Sequence, residues 1–201
     1  MGSFSMSSMK RICVFCGSSS GTDPVYLNAA EKLGEFLAKK GVGLVYGGGR
    51  VGLMGKIADT VMASGGEVVG VIPAALDEKE IAHRGITELR VVDSMHERKA
   101  MMADLADGFI AMPGGFGTFE EFCEIVTWAQ LGIHKKPCAL LNVNGFYDQM
   151  ITMFDHSTQQ GFIRDEHRAL VLVDTKIDTL FEKMTSYIPP AIPKWMDTQS
   201  T

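Results

Sequence analysis

Short apolar runs rich in β-branched residues alternate along the chain with longer amphipathic stretches. The runs predict strands at RICVFC, GLVY, EVVGVI, LRVV, GFIAM, PCALLNV and ALVLV. The stretches between them predict helices near residues 24–40, 53–65, 95–106, 118–132, 146–160 and 176–186. Alternating strands and helices form parallel sheets with crossover connections, and unbroken apolar strands are covered on both faces. The pattern therefore predicts an α/β fold: a doubly wound parallel sheet of about seven strands with helices on both faces.

One domain accounts for this pattern, because the chain has no interior linker, low-complexity segment or repeat of fixed period. We predict a single domain over residues 10–188, with flexible termini at 1–9 and 189–201. The polar segment 73–88 carries both signs of charge and is expected to cross the edge of the sheet as a mobile excursion. We find no apolar stretch of signal-peptide length at the amino terminus and none of the roughly 18 residues that a membrane span needs.

Composition and charge narrow the classes of partner. Nineteen basic and 24 acidic residues give a formal net charge of −5, which argues against nucleic acid or an anionic membrane as partners. Four cysteines are too few for a secreted disulfide framework, so a cytoplasmic protein with reduced thiols is expected. Cys13 and Cys16 lie in an apolar strand, where side chains three apart point to opposite faces. We interpret them as buried packing residues and predict no metal site and no cofactor.

The loop after the second predicted strand is rich in glycine, and loops at the carboxyl ends of strands carry the ligand sites of such folds. Its spacing Gly47-x-Gly49-x-x-Gly52 matches the dinucleotide-binding fingerprint. It follows the second strand instead of the first, and the next strand ends without a carboxylate for a ribose hydroxyl. We therefore favour a tight turn that brings the backbone of Gly48 and Gly49 close to a phosphate or a neighbouring strand. Dinucleotide binding is the alternative.

A second glycine-rich loop, AMPGGFGTFEEF, follows the fifth predicted strand. Gly114, Gly115 and Gly117 allow main-chain N–H groups to converge, and Thr118 is predicted to begin a helix. The positive end of that helix would face the same point, so an anion such as phosphate could bind there. The loop is not a Walker A motif, because no Gly-Lys-Ser/Thr follows it.

Glu121 in the same stretch has two explanations. Thr118-x-x-Glu121 fits a capping box, in which Glu121 would only accept a hydrogen bond from the cap residue's backbone. The other explanation is a catalytic carboxylate, and the spacing leaves both open. Glu120 is expected to be a solvated acid in the first turn of the helix.

A third loop leads into the stretch SMHERKAMM. Ser94 and Glu97 fit a capping box, which places Arg98 and Lys99 in or just after the first helical turn. Cations there oppose the helix dipole at a cost of a few tenths to about 1 kcal/mol. An anionic ligand shared with this helix end would explain them. The alternative is an exposed pair that reaches Glu97 or Glu88.

Taken together, YGGGRVGLMG, MHERKAMM and PGGFGTFEE closely resemble the Lonely Guy family of cytokinin-activating enzymes, marked by P-G-G-x-G-T-x-x-E. The sequence matches this motif at every defined position: Pro113, Gly114, Gly115, Gly117, Thr118 and Glu121. The resemblance runs from about Lys10 to about Pro190. It implies a Rossmann-like fold, a homodimer, and a phosphoribohydrolase that converts cytokinin nucleoside 5′-monophosphates to the free base and ribose 5-phosphate. Many members carry a lysine decarboxylase label.

The resemblance also implies site residues. Arg98 and Glu121 correspond to the family's catalytic pair. The implied substrate contacts are Glu80, Arg98, Lys99, Gly115, Phe116, Gly117, Thr118, Phe119, Glu120, Glu121 and Thr127. We add Gly48, Gly49 and Gly114 as phosphate contacts from the two glycine loops. As a hypothesis, the phosphate binds the loop amides, Glu121 stabilises the positive charge developing on the sugar or activates a water, and Arg98 stabilises the phosphate or the departing base.

Two rival functions share the same phosphate-binding loop. One is a broader hydrolase of purine nucleoside 5′-monophosphates such as AMP. The other is a non-catalytic carrier of a phosphorylated cofactor, since folds similar to this family serve as molybdenum cofactor carriers. The pair of Arg98 and Glu121 favours the hydrolase.

Overall fold

The structure is a computed structural model that describes residues 9–77 and 82–190. Seven strands are present in this part of the chain: β1 (Arg11–Phe15), β2 (Gly43–Tyr46), β3 (Val68–Pro73), β4 (Glu88–Val92), β5 (Gly108–Ala111), β6 (Cys138–Leu141) and β7 (Val171–Asp174). The helices are α1 (Pro24–Lys40), α2 (Gly52–Ala63), α3 (Ala74–Asp77), α4 (Met95–Leu105), α5 (Phe116–Gln130), α6 (Asp148–Gln159), α7 (Asp165–Arg168) and α8 (Ile177–Thr185). A short 3₁₀ turn covers Val143–Gly145.

The strands form one sheet in the order β4-β3-β2-β1-β5-β6-β7, and every pair is parallel. This confirms the predicted doubly wound sheet of seven strands. The chain builds outward from β1 to one edge, then returns to the other side of β1 with β5. The connections that follow β1 and β5 diverge at this switch point, so they leave a crevice at the carboxyl ends of the strands.

Each face of the sheet carries its own hydrophobic core. One core packs side chains of α1, α2 and α8 against the sheet, and the other packs those of α4 and α5. Strand β1 supplies both, because Ile12 and Val14 belong to the first and Cys13 and Phe15 to the second. Cys16 belongs to the first core, so the two cysteines lie on opposite faces and are buried free thiols, as predicted.

Local sequence signals explain where the helices near the crevice begin. Helix α1 follows Asp23, whose carboxylate accepts a hydrogen bond from the Val25 N–H, and has Pro24 in its first position. Helix α4 follows Ser94, whose hydroxyl accepts from the Glu97 N–H at 3.1 Å. The Glu97 carboxylate accepts from the Asp93 N–H at 2.8 Å, one residue before the cap. The predicted start of α4 is thus confirmed, although Glu97 accepts from the residue before the cap and not from the cap residue itself.

Two predicted elements differ from the structure. Helix α5 begins at Phe116 with Gly115 as its cap residue, two residues before the predicted start at Thr118. The segment 73–88 contains helix α3 and a bridge between Gly49 and Ala82, so part of it is ordered structure against the sheet edge. Residues 78–81, including Glu80, lie outside the described residues, as do 1–8 and 191–201 of the predicted flexible termini. Among the described helices, none combines the length and apolarity of a membrane span.

Candidate functional site

A cavity of about 310 Å³ lies at the switch point between β1 and β5. The β1–α1 loop and the β5–α5 loop form two of its walls, and side chains from α1, α2 and the segment before α6 close it. Its lining residues are Gly17, Ser18, Ser19, Ser20, Gly21, Tyr26, Leu53, Pro113, Gly114, Gly115 and Phe146. The predicted glycine loop of β5 therefore opens on the place where folds of this type bind ligands.

Gly17 of the β1–α1 loop is hydrogen-bonded to the β5–α5 loop and to the start of α2, which follows the first glycine loop. Its N–H donates to the carbonyl of Pro113 at 3.0 Å. Its own carbonyl accepts hydrogen bonds from the N–H groups of Leu53 and Met54 at 3.0 and 3.3 Å. These amides open α2, where a dinucleotide-binding fold would hold a pyrophosphate. Since they bind Gly17 instead, the structure argues against dinucleotide binding at the first glycine loop.

Gly52, the last glycine of the first glycine loop, packs closely against the β1–α1 loop. Gly52 has φ of 61°, and a Cβ at this position would overlap the backbone of Ser18. Both the left-handed backbone and the close approach require glycine. The spacing that resembles a dinucleotide fingerprint thus has a packing explanation.

We expect Gly52→Ala to lower the free energy of unfolding by about 1–3 kcal/mol, because the methyl group adds a backbone overlap to an unfavourable φ. Urea denaturation measures the change. Gly65→Ala is the matched control, since Gly65 has φ of 76° with no described atom within 4 Å of its Cβ position. Equal losses in the two variants would contradict the packing explanation.

The amino end of α5 faces open space. No described atom lies within 4 Å of the Cβ positions of Gly115 and Gly117, whereas a Cβ on Gly114 would overlap the Thr118 side chain. The cap residue Gly115 offers no side chain, and the first N–H groups of a helix have no partner within it. Bare amides at a positive helix end suit a phosphate group, as the sequence predicted.

Arg98 of α4 and Glu121 of α5 form a buried ion pair. The distance between Nη1 of Arg98 and Oε1 of Glu121 is 2.8 Å, and each side chain is 10% exposed. Nε of Arg98 also donates to the carbonyl of Val71 at 3.2 Å, and the guanidinium lies against Gly47, where a Cβ would overlap it. The capping-box explanation of Glu121 is wrong, because Gly115 caps the helix and the carboxylate binds Arg98.

Burial raises the pKa of Glu121 above the ordinary value of 4.5, although the positive charge of Arg98 opposes the rise. The negative charge of Glu120 adds to it. Cys13 lies on β1 and Cys16 directly after it, on opposite faces of the sheet. Burial raises the pKa of each thiol, with a smaller contribution from Glu121. A carboxylate with a raised pKa, held beside an arginine, is suited to proton transfer and to stabilising positive charge.

Lys99 does not pair with Glu97 or Glu88, so the alternative of an exposed pair that reaches them is wrong. Its Nζ lies 2.6 Å from Oε1 of Glu120 and 2.9 Å from Oε2 of Glu124. The sequence predicts an anionic ligand shared by Arg98 and Lys99; in the structure both cations are balanced by carboxylates of α5. Glu120 is 54% exposed and paired, not simply solvated.

Three other predicted contacts, Thr127, Phe116 and Phe119, are absent from the lining of the crevice cavity. Thr127 donates to the carbonyl of Cys123 at 2.7 Å and lines a separate cavity of about 150 Å³ beside α6 and α7, so the structure does not bring it to the crevice. Phe116 is almost fully exposed at the start of α5. The ring of Phe119 stacks on Phe146 with centroids 6.3 Å apart.

Gly48 and Gly49 hold the segment after residue 81. The Gly48 carbonyl accepts from the N–H of His83 at 2.8 Å, and Gly49 bridges to Ala82. Gly48 has φ of 74° and packs against Ile72. These contacts fit the predicted close approach to a neighbouring segment.

The sequence analysis missed the β1–α1 loop. Ser18, Ser19 and Ser20 line the cavity, and the ring of Tyr26 lies 5.9 Å from that of Phe146 across its wall. The signal was present as CGSSSG, a run of small residues directly after the first strand. Within residues 9–77 and 82–190, no group of three or more His, Cys, Asp or Glu side chains is placed to hold a metal ion.

The sequence of the chain is similar to those of known proteins. The profile of the family described as "Possible lysine decarboxylase" matches residues 54–184. The chain is 48% identical over 188 residues to the probable cytokinin riboside 5′-monophosphate phosphoribohydrolase LOGL9 of Oryza sativa subsp. japonica, covering 94% of this chain and 83% of the relative. It is 47% identical over 183 residues to the cytokinin riboside 5′-monophosphate phosphoribohydrolase LOG2 of Arabidopsis thaliana, covering 91% and 86%.

Solved structures support the fold. A molybdenum cofactor binding protein from Rippkaea orientalis superposes with a TM-score of 0.66 at 20% identity, covering 88% of this chain and 95% of that one. The molybdenum cofactor carrier protein of Chlamydomonas reinhardtii gives a TM-score of 0.62 at 21% identity, covering 86% and 98%. At these identities the likeness concerns the arrangement of strands and helices alone.

Proposed function

The chain belongs to the Lonely Guy family, and from this premise we propose that it hydrolyses the N-glycosidic bond of cytokinin riboside 5′-monophosphates. Water adds across the bond between the ribose and the base, and the products are the free base and ribose 5-phosphate. The observation that carries the proposal is the buried ion pair of Arg98 and Glu121. Glu121 lies on α5, the helix whose open amino end faces the crevice.

The substrate phosphate binds at the amino end of α5. Gly115 and Gly117 leave room for phosphate oxygens near the free amides, and the serine hydroxyls of the β1–α1 loop lie on the opposite wall. Binding the phosphate fixes the ribose, and this remote binding energy is used to orient the bond that breaks. The loops are already joined through Gly17, so little rearrangement is needed.

Glu121 lies one turn further along the helix, on the side of the ribose. Cleavage develops positive charge on the sugar, and an anionic carboxylate stabilises it or deprotonates the attacking water. Arg98 holds Glu121 in place through its 2.8 Å contact and presents its remaining N–H groups to the phosphate or the departing base.

Two further properties belong to the same proposal. We propose a homodimer, as the family resemblance implies, and sedimentation velocity measures its mass directly. We also propose a cytoplasmic location, which fits the free thiols of Cys13, Cys16, Cys123 and Cys138. Neither property is needed for the chemistry assigned to Arg98 and Glu121.

We expect the purified protein to release free base and ribose 5-phosphate from isopentenyladenosine 5′-monophosphate, which chromatography detects. The matched control is isopentenyladenosine, which has no phosphate to bind the α5 amides. Its kcat/KM should be lower by about 10²-fold or more, because the remote binding energy is lost. AMP is assayed in parallel to measure what the prenyl group contributes.

Each other outcome points to a different function. Equal kcat/KM for AMP and the prenylated nucleotide would support the broader purine nucleotide hydrolase. Tight binding of the nucleotide without release of base would support a carrier. Equal turnover of the nucleoside and its monophosphate would contradict the phosphate site at α5.

A further inference from the structure

Tyr147 is a buried residue that the chemistry described above does not use. It follows Phe146, which lines the crevice cavity, and directly precedes α6. Its hydroxyl donates a hydrogen bond of 2.6 Å to the carbonyl of Met112. Met112 lies between the end of β5 and the glycine loop that begins at Pro113. The segment before α6 is therefore joined to the entrance of this loop through one side-chain hydroxyl.

Two consecutive carbonyls fix the entrance of the glycine loop. The carbonyl of Met112 accepts from Tyr147, and the carbonyl of Pro113 accepts from the N–H of Gly17 at 3.0 Å. The N–H of Met112 also donates to the last carbonyl of β1 at 2.9 Å. The glycines that follow impose little backbone conformation of their own. The direction of their amides therefore depends on the bonds that hold the two residues before them.

Hydrogen bonds and ring contacts hold Tyr147 itself in place. Its N–H donates to Oδ1 of Asn142 at 2.7 Å, and Nδ2 of Asn142 donates to the carboxylate of Asp148 at 2.7 Å. Its ring makes edge contacts with the rings of Phe146 and Phe119, with centroids 5.0 and 6.4 Å apart. Phe119 lies in the first turn of α5. The hydroxyl of Tyr147 therefore has a defined position relative to the amino end of α5.

We propose that Tyr147 is a positioning residue for phosphate binding, whose hydroxyl holds the glycine loop after Met112 in the geometry that receives the substrate phosphate. Only 1% of the surface of Tyr147 is exposed, so the residue acts through the loop and does not touch the substrate. The inference rests on the proposed function, because it concerns the phosphate bound at α5.

Tyr147→Phe removes the hydroxyl and keeps the ring. We expect kcat/KM for isopentenyladenosine 5′-monophosphate to fall about tenfold, because groups that bind a substrate must be held within about 0.5 Å of their productive positions. The kcat/KM for isopentenyladenosine, which has no phosphate, should change by less than about twofold. The ratio of the two constants separates phosphate binding from general damage to the site. An unchanged ratio would overturn the inference.

Tyr46→Phe is the matched control. Tyr46 is fully buried at the end of β2 in the other hydrophobic core, and its hydroxyl has no hydrogen-bond partner among the described residues. Both kinetic constants should stay within about twofold of the wild type, because no hydrogen bond is lost. A fall in the ratio as large as that of Tyr147→Phe would contradict the assignment.

Urea denaturation of both variants shows whether they are folded. A lower urea midpoint for Tyr147→Phe, together with an unchanged ratio for nucleotide and nucleoside, would show that the hydroxyl serves only the stability of the fold.

A second measurement does not depend on turnover. Isothermal titration calorimetry with ribose 5-phosphate probes the phosphate site directly, and ribose is the control ligand without phosphate. The dissociation constant for ribose 5-phosphate should rise about tenfold in Tyr147→Phe and stay at the wild-type value in Tyr46→Phe.

The two kinds of measurement separate this inference from the proposed function. An active wild type whose affinity for ribose 5-phosphate is the same in Tyr147→Phe would overturn the positioning role alone. An inactive wild type whose binding of ribose 5-phosphate is weakened by Tyr147→Phe would overturn the proposed function alone. An inactive wild type that also fails to bind ribose 5-phosphate would overturn both.

Discussion

Glu121→Gln is expected to lower kcat by about 10²- to 10³-fold and to leave the protein folded. Glutamine has the same size as glutamate, and its carbonyl can still accept the hydrogen bond that Arg98 donates at 2.8 Å. It cannot carry the negative charge that stabilises the sugar or accept the proton of a water. The loss therefore falls on the chemical step, and KM should change little.

The difference in stability between the wild type and this variant depends on pH, because Glu121 titrates and glutamine does not. The pKa of Glu121 in the fold is raised above 4.5, so the folded protein holds this proton more tightly than the unfolded chain does. Its stabilising contribution is present below pH 4.5 and is lost as pH rises through the raised pKa. At neutral pH Glu121→Gln should be as stable as the wild type or more stable, as measured by urea denaturation. Normal turnover in this variant would remove Glu121 from the mechanism.

Arg98→Met is expected to lose both activity and stability. The change removes the partner of a buried carboxylate and the hydrogen bond to Val71, so the free energy of unfolding at neutral pH should fall by about 3 kcal/mol. Loss of the guanidinium that is proposed to stabilise the phosphate or the departing base should lower kcat/KM by about 10²-fold or more. The stability loss should shrink at acid pH, where Glu121 is neutral.

The double variant Arg98→Met/Glu121→Gln separates the two effects. With no buried carboxylate left unpaired, stability should recover in part, whereas activity should not. Urea denaturation and initial rates on the same samples give both quantities. Recovered activity together with recovered stability would show that Arg98 acts only by maintaining the fold.

The fold could be predicted largely from the sequence because the five inner strands, β1, β2, β3, β5 and β6, are apolar runs buried at almost every position. Strands β1, β2 and β5 agree with the predicted runs to within one residue. The order of strands was beyond prediction at this level, since it is set by which helices cover which face. Helix α7 was missed because its sequence, Asp165–Arg168, has no apolar periodicity.

The glycine loop of β5 could be found from composition alone, and its structure agrees with the open helix end that the sequence predicts. Phosphate binding there stays a prediction. The role of Glu121 could not be assigned, because its spacing fits both a capping box and a catalytic carboxylate, and only the fold brings Arg98 within 2.8 Å. The pairing of Lys99 with Glu120 depends on the contact between α4 and α5, which no local pattern encodes.

The hydrogen bonds of Gly17 have a consequence for how this family can diversify. Surface loops usually tolerate added or deleted residues. Here three loops share the backbone of one glycine through its bonds to Pro113, Leu53 and Met54, so a change of length in any of them displaces the other two. Variation in substrate preference is therefore expected to arise from side-chain replacement around the crevice, while the lengths of these connections stay constant.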